Sequence, residues 1–150
     1  MKRASKVLSA DAWNKAQAVD RVVLDAVERH RRRITLTGEG GTIFLLDLPQ
    51  ATALRDGDGL VLDDGSVVRV TGKAEPLVEI TAASAQALAR IAWHIGNRHI
   101  EVQVVGDKLR IRRDHVLEAM LRGLGARLVP VEAPFDPEQG AYSGHGHGDG

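Results

Sequence analysis

Between about residue 7 and residue 70, apolar side chains come in short runs rich in Val, Ile, Leu and Thr rather than at helical spacing. Runs at 19–27, 33–37, 42–48, 59–62 and 66–71 are separated by Gly38-Glu39-Gly40-Gly41, Asp56-Gly57-Asp58-Gly59 and Asp63-Asp64-Gly65. Short β-branched segments between glycine and aspartate clusters read as strands joined by turns. Asp64-Gly65 between two apolar runs predicts a tight type I′ hairpin, whose two central residues both take positive φ. Residues 1–72 are therefore expected to form an all-β domain, a small antiparallel sandwich or barrel.

The period changes around residues 72–76. Residues 77–81 read as a strand, 84 to about 95 as a helix, and 100–105 and 108–112 as strands joined at Gly106-Asp107. Asp114 is a good N-cap for a helix to about Gly123, with Val116, Leu117, Met120, Leu121 and Leu124 at helical spacing, and 126–131 closes as a strand. The order βαββαβ is the ferredoxin-like pattern, here over residues 73–132. Past Pro130 the periodicity is lost, and the prolines and glycines predict a flexible, histidine-containing tail over 133–150. The fold class is α+β.

Composition narrows the function. Lys plus Arg equal Asp plus Glu at 20 each, so no bulk charge draws the chain to nucleic acid or a membrane surface. No apolar run approaches the roughly 18 residues of a membrane helix. Met1-Lys2-Arg3-Ala4-Ser5 lacks the apolar core of a signal peptide, so the cytoplasm is the expected location. Cysteine is absent, which removes disulfides and thiolate metal sites.

What remains is histidine. Six are present, two of them in Trp93-His94-Ile95-Gly96-Asn97-Arg98-His99, where Gly96-Asn97 is expected to end the helix. Leu88, Ile91, Ala92 and Ile95 share one apolar stripe, while Trp93 and His94 flank it. Trp93 reads equally as an edge of the core or as a second contact surface. His94 and His99 are five residues apart, so on a continued helix they diverge by roughly 140° and cannot clamp one ion. His99 must find partners in a symmetry-related copy or in the tail, where His145-Gly146-His147 can turn both imidazoles to one ion. Imidazole with carboxylate or water suits nickel, copper or zinc. His115, beside the N-cap Asp114, is a lesser candidate, and a capping turn is the plainer reading there. The run Arg29-His30-Arg31-Arg32-Arg33 has no interleaved aromatics and reads as a solvated strand start rather than an RNA-binding patch. A small metal hydrolase using His99, His115 and Glu101 or Asp114 would need a fixed site in one subunit and a general base. The spacing supplies neither.

Gly96-Asn97-Arg98-His99, with Gln103 four residues on, resembles the urease accessory protein E family. The likeness extends through Arg31-Arg32-Arg33, Leu54-Arg55-Asp56-Gly57-Asp58, Leu109-Arg110, Asp114-His115-Val116-Leu117, Met120-Leu121, Pro134-Phe135-Asp136-Pro137-Glu138 and Gly140-Ala141-Tyr142. The resemblance implies a peptide-binding-like N-terminal domain and a ferredoxin-like metal-binding domain. It implies a homodimer in which His99 of each subunit meets one nickel ion, with His145 and His147 completing the site. It further implies a non-enzymatic nickel carrier that serves an accessory GTPase and the urease apoprotein complex. A general zinc, copper or nickel buffer is the alternative. Three positions depart from the family. Arg113 stands where some members have a metal-ligating histidine beside Asp114-His115, Glu101 replaces a common proline, and the tail has two histidines instead of a long run.

Overall fold

The computed structural model describes residues 1–140, which fall into two compact units, Met1–Lys73 together with Gln139 and Gly140, and Ala74–Glu138. The first unit is built on one six-stranded sheet. Its strands are β1 (Lys2–Leu8), β2 (Asp20–Leu24), β3 (His30–Thr37), β4 (Ile43–Ala53), β5 (Gly59–Leu62) and β6 (Val67–Gly72), in spatial order β2-β6-β5-β1-β4-β3. Ala4, Phe44, Leu46, Leu60, Val68 and Val70 are fully buried in its core.

The all-β expectation holds, but the sheet is mixed rather than antiparallel: β1 runs parallel to β4, and β2 parallel to β6. Turn chemistry reveals only hairpins between neighbours, and these two pairings join segments distant in sequence. β1 escaped the sequence pattern because Ala4 is its only buried residue; Lys2 and Arg3 instead pair with Asp64 and Asp47. β4 continues past Leu48 through Pro49, beside a register irregularity opposite Arg31 and Arg33, where a missing N–H is tolerated.

The turn at 63–65 is not type I′. Gly65 has φ 86° and Asp64 does not share the positive φ. Gly65 N–H donates to Leu62 O at 2.9 Å and Leu62 N–H to Ser66 O at 2.8 Å, a three-residue hairpin loop with glycine in the left-handed position. The Gly38–Gly41 turn wraps a carboxylate. Asp20 accepts from the amides of Gly40 (2.8 Å) and Thr42 (3.0 Å), and a Cβ on Gly38 would lie 2.2 Å from its Oδ2. Partial burial pushes the Asp20 carboxyl up, but the amides of Gly40, Arg21 and Thr42 outweigh it and hold the pKa at about 2. Arg29 is not solvated as its run suggested. It is 2% exposed, and its guanidinium donates to Leu24 O at 3.2 Å and Leu54 O at 3.0 Å, tying the loop before β3 to the end of β4. His30 and Arg31–Arg33 are exposed.

The second unit comprises β7 (Ala74–Thr81), α1 (Ala85–Asn97), β8 (Gln103–Val105), β9 (Lys108–Arg112), α2 (His115–Gly123) and β10 (Arg127–Pro134). All pairings in its sheet are antiparallel and the order is β10-β7-β9-β8, the ferredoxin-like arrangement. Val78, Ile80, Leu109 and Ile111 meet Ile91 and Ile95 of α1 and Leu121 of α2, each burial contributing about 1.5–3 kcal/mol. At Gly106-Asp107 only the glycine has positive φ, the requirement of a type II′ hairpin.

The chain expected to leave the domain at residue 133 stays on it through Glu138. β10 runs to Pro134, Phe135 is fully buried, and Glu138 N–H donates to Val102 O at 2.7 Å. No helix among the described residues is long and apolar enough to cross a membrane.

Candidate metal centre

Strand register decides which loops are neighbours. The first residues of β7 and β8 and the last of β9 and β10 share one end of the sheet, as Pro134↔Ala74, Leu77↔Arg112 and Gln103↔Arg110 show. The α1–β8 connection, carrying His99 and Glu101, and the β9–α2 connection, carrying Arg113, Asp114 and His115, therefore both lie at that end.

His99 is the outlier of the backbone. α1 ends at Gly96-Asn97 as expected, with Arg98 as the C-cap. His99 then takes φ 57°, the one positive φ outside glycine among the described residues. Its N–H donates to Gly96 O at 3.0 Å, and Ile100 N–H reaches back to Ile95 O at 3.3 Å. This is the Schellman closure, normally built on glycine. Ile95 and Ile100 both pack on the second core, the apolar contact that accompanies the motif. The left-handed residue turns the chain away from the helix and leaves the His99 imidazole exposed, with no hydrogen bond or ion pair among the described residues.

The remaining candidates are held differently. His94 is half-buried in the last turn of α1, its ring edge-on to Trp93 at 5.0 Å and 83°. Trp93 is 63% exposed, so it belongs to a surface and not to the core edge. His115 is exposed at the start of α2, but Asp114 Oδ1 is committed to the amides of Val116 (2.9 Å) and Leu117 (3.1 Å) as the N-cap. Arg113 is committed too. It makes two hydrogen bonds to Glu118, at 3.1 and 3.0 Å, and Glu118 also accepts Asp114 N–H at 2.9 Å. The Arg113 contacts hold the Glu118 carboxyl below its ordinary pKa, against the upward push of burial. Glu101 is paired with Arg112, which also binds Glu75. Among the described residues no three His, Asp or Glu side chains come together as a metal-holding group. His145 and His147 lie outside the described residues.

Sequence reasoning missed the left-handed backbone at His99 and the contacts of residues 134–138. Gly96-Asn97 marked the helix stop correctly, but nothing local marked the left-handed residue two positions further on.

Two family models match the chain: the UreE urease accessory protein N-terminal domain over residues 4–72 and its C-terminal domain over residues 75–150. The chain belongs to the UreE urease accessory protein family. The urease accessory protein UreE of Bradyrhizobium sp. (strain BTAi1 / ATCC BAA-1182) is 55% identical over 150 residues, covering 100% of this chain and 72% of the relative. That of Rhodobacter capsulatus is 46% identical over 153 residues, covering 99% of this chain and 94% of the relative. The family membership agrees with the two-unit architecture, an all-β unit followed by an α+β one.

Proposed function

We propose that the protein is a nickel metallochaperone of urease assembly, a carrier and not a catalyst. It works in the cytoplasm as a homodimer in which His99 of each subunit binds one Ni(II), with His145 and His147 as further ligands and His94 and His115 as peripheral ones. Its partners are the accessory GTPase and the urease apoprotein complex. The observation that carries this reading is the exposed His99, without a partner among the described residues and held in a backbone conformation that glycine would adopt at lower cost, in a chain of the urease accessory family. One imidazole per subunit is too few for a closed site, and a two-fold axis supplies the second. Imidazole without thiolate suits nickel, with zinc or copper as substitutes, and leaves the ion exchangeable.

Nickel titration calorimetry on the wild type, His99→Ala and a chain ending at Tyr142 tests it. About one tight nickel per dimer is expected from the symmetry, with binding nearly lost in His99→Ala and weakened in the shortened chain. Unchanged binding in His99→Ala overturns the site. A general metal buffer would bind nickel equally well but would not restore urease activation to cells lacking the protein.

A further inference from the structure

Val68 and Val70 of β6 point into the core of the first unit, so Arg69 and Thr71 between and beyond them point to the opposite face. Val22 and Leu24 are core residues too, which places Arg21 and Val23 of β2 on that same outer face. Arg69 is flanked in register by Arg21 on β2 and by Gly59 on β5. A glycine is needed there, because a Cβ would lie 2.8 Å from the Trp13 ring and 2.7 Å from Val67 Cγ1. Trp13 is pinned in turn by its indole N–H, which donates to Gly57 O at 3.0 Å. It brings the segment between β1 and β2 over β5. Between that segment, the start of β2 and the turn that follows β3 lies a cleft of about 510 Å³.

The cleft is lined by three cations, Lys15, Arg21 and Arg69, and two carboxylates, Asp20 and Glu39. Both carboxylates are committed. Glu39 Oε1 accepts Nε and Nη2 of Arg21, each at 2.9 Å. Asp20 accepts the amides of Arg21, Gly40 and Thr42 and makes no ion pair among the described residues. Lys15 Nζ donates to Ala10 O, a neutral carbonyl. Arg69 makes no hydrogen bond or ion pair among the described residues, and its Nε is buried. Such a guanidinium, half-withdrawn from water next to another guanidinium, is destabilised until an anion meets it.

We propose that this cleft binds a carboxylate group, held by Arg69 and Lys15, carried either by a small organic acid or by an acidic side chain of a peptide. The paired N–H donors of a guanidinium fit carboxylate and phosphate oxygens alike, and charge decides between them. The lining has a surplus of one positive charge, which a monoanion neutralises and a dianion such as phosphate exceeds. Asp20, held ionised by its amide donors, repels a second negative charge. Ala18 and the exposed Val19 offer an apolar wall for the carbon chain that bears the carboxylate.

The test is an NMR titration of the whole, nitrogen-labelled chain with propionate, with acetyl-Gly-Glu-Gly-amide and its glutamine counterpart, and with inorganic phosphate, all at matched ionic strength. The two tryptophans serve as reporter and control, Trp13 beside the cleft and Trp93 in the other unit. A carboxylate should shift the Trp13 indole N–H and the Arg69 amide saturably and leave Trp93 still. Saturation by propionate points to a free organic acid; saturation by the glutamate peptide alone points to a peptide. In Arg69→Gln the affinity should fall about tenfold, the loss of one charge-assisted hydrogen-bonded pair. Lys15→Gln, outside the sheet, is the second variant and should also weaken binding; a thermal melt of each confirms the fold. The proposal is overturned by no saturable shift with either carboxylate, by tighter binding of phosphate, by equal movement of Trp93, or by unchanged affinity in both variants. None of these outcomes bears on His99, whose reading stands or falls by nickel calorimetry.

Discussion

Helices α1 and α2 occupy equivalent places in the two halves of the ferredoxin-like unit, and both end in the same pair of backward hydrogen bonds. In α2 these run from Gly125 N–H to Arg122 O and from Ala126 N–H to Leu121 O, both 3.0 Å. In α1 they run from His99 to Gly96 and from Ile100 to Ile95. The left-handed residue is Gly125 at φ 88° in one and His99 at φ 57° in the other. An L-residue bearing a Cβ costs about 1–2 kcal/mol in that conformation. The N-termini differ in the same sense: α2 opens on Asp114 with the buried Glu118 and its exposed partner Arg113 behind it, and α1 on Ser84 alone. α2 is built for stability at both ends. α1 gives up stability at the point where an imidazole is displayed, and such departures from local preference gather at functional positions.

Four substitutions press on that contrast. The largest effect is expected at Glu118, 3% exposed. Glu118→Gln removes the charge facing Arg113 and should lower stability by about 2 kcal/mol, discounted from a fully buried pair because Arg113 is half exposed. The native carboxyl has its pKa depressed, so its contribution is present above the ordinary carboxylate pKa and is lost as pH falls through the folded value. Denaturant melts from pH 7 downward should show that acid loss in the wild type and a flatter acid limb in the variant. Next comes Gly125→Ala, expected to cost about 1 kcal/mol by chemical denaturation. Its added Cβ meets nothing within 4 Å, so the cost isolates the backbone conformation. His99→Gly should move the other way, raising Tm by about 2–5 °C while nickel binding disappears. If it destabilises instead, the two helix ends are not equivalent and the contrast fails. Ser84→Ala, which removes the hydroxyl that accepts Ala87 N–H at 3.0 Å, should cost about 0.5–1 kcal/mol and leave nickel binding untouched.

The C-terminal half was far more legible in the sequence than the site it carries. The stripe of Leu88, Ile91, Ala92 and Ile95 and the Asp114 cap are local signals, and α1 and α2 follow them closely. Gly96-Asn97 marks where α1 ends, but the left-handed turn that follows at His99 goes with Ile95 and Ile100 packing on residues distant in sequence. Residues 134–138 read as disordered because prolines and acids surround one apolar side chain. Their order comes from Phe135 filling a place whose walls, Arg112 and Gln103 among them, lie far back in the chain. In the N-terminal half the runs marked strands but not partners. Arg29 looked like one more solvated charge because its acceptors, Leu24 O and Leu54 O, are backbone carbonyls without a sequence signature.

The placement of β1 governs how the N-terminal sheet can assemble. Lys2–Leu8 joins β5 on one side to β4 on the other, so among the described residues it is the strand that links the ladder β2-β6-β5 to the ladder β4-β3. β1 must wait for partners some forty to sixty residues downstream. Until they arrive β1 has no place in the sheet, and closing the long loops to them is the slow, entropically costly part of folding. Nascent chains stalled before Leu62 should therefore remain open to proteases, however complete their local hairpins.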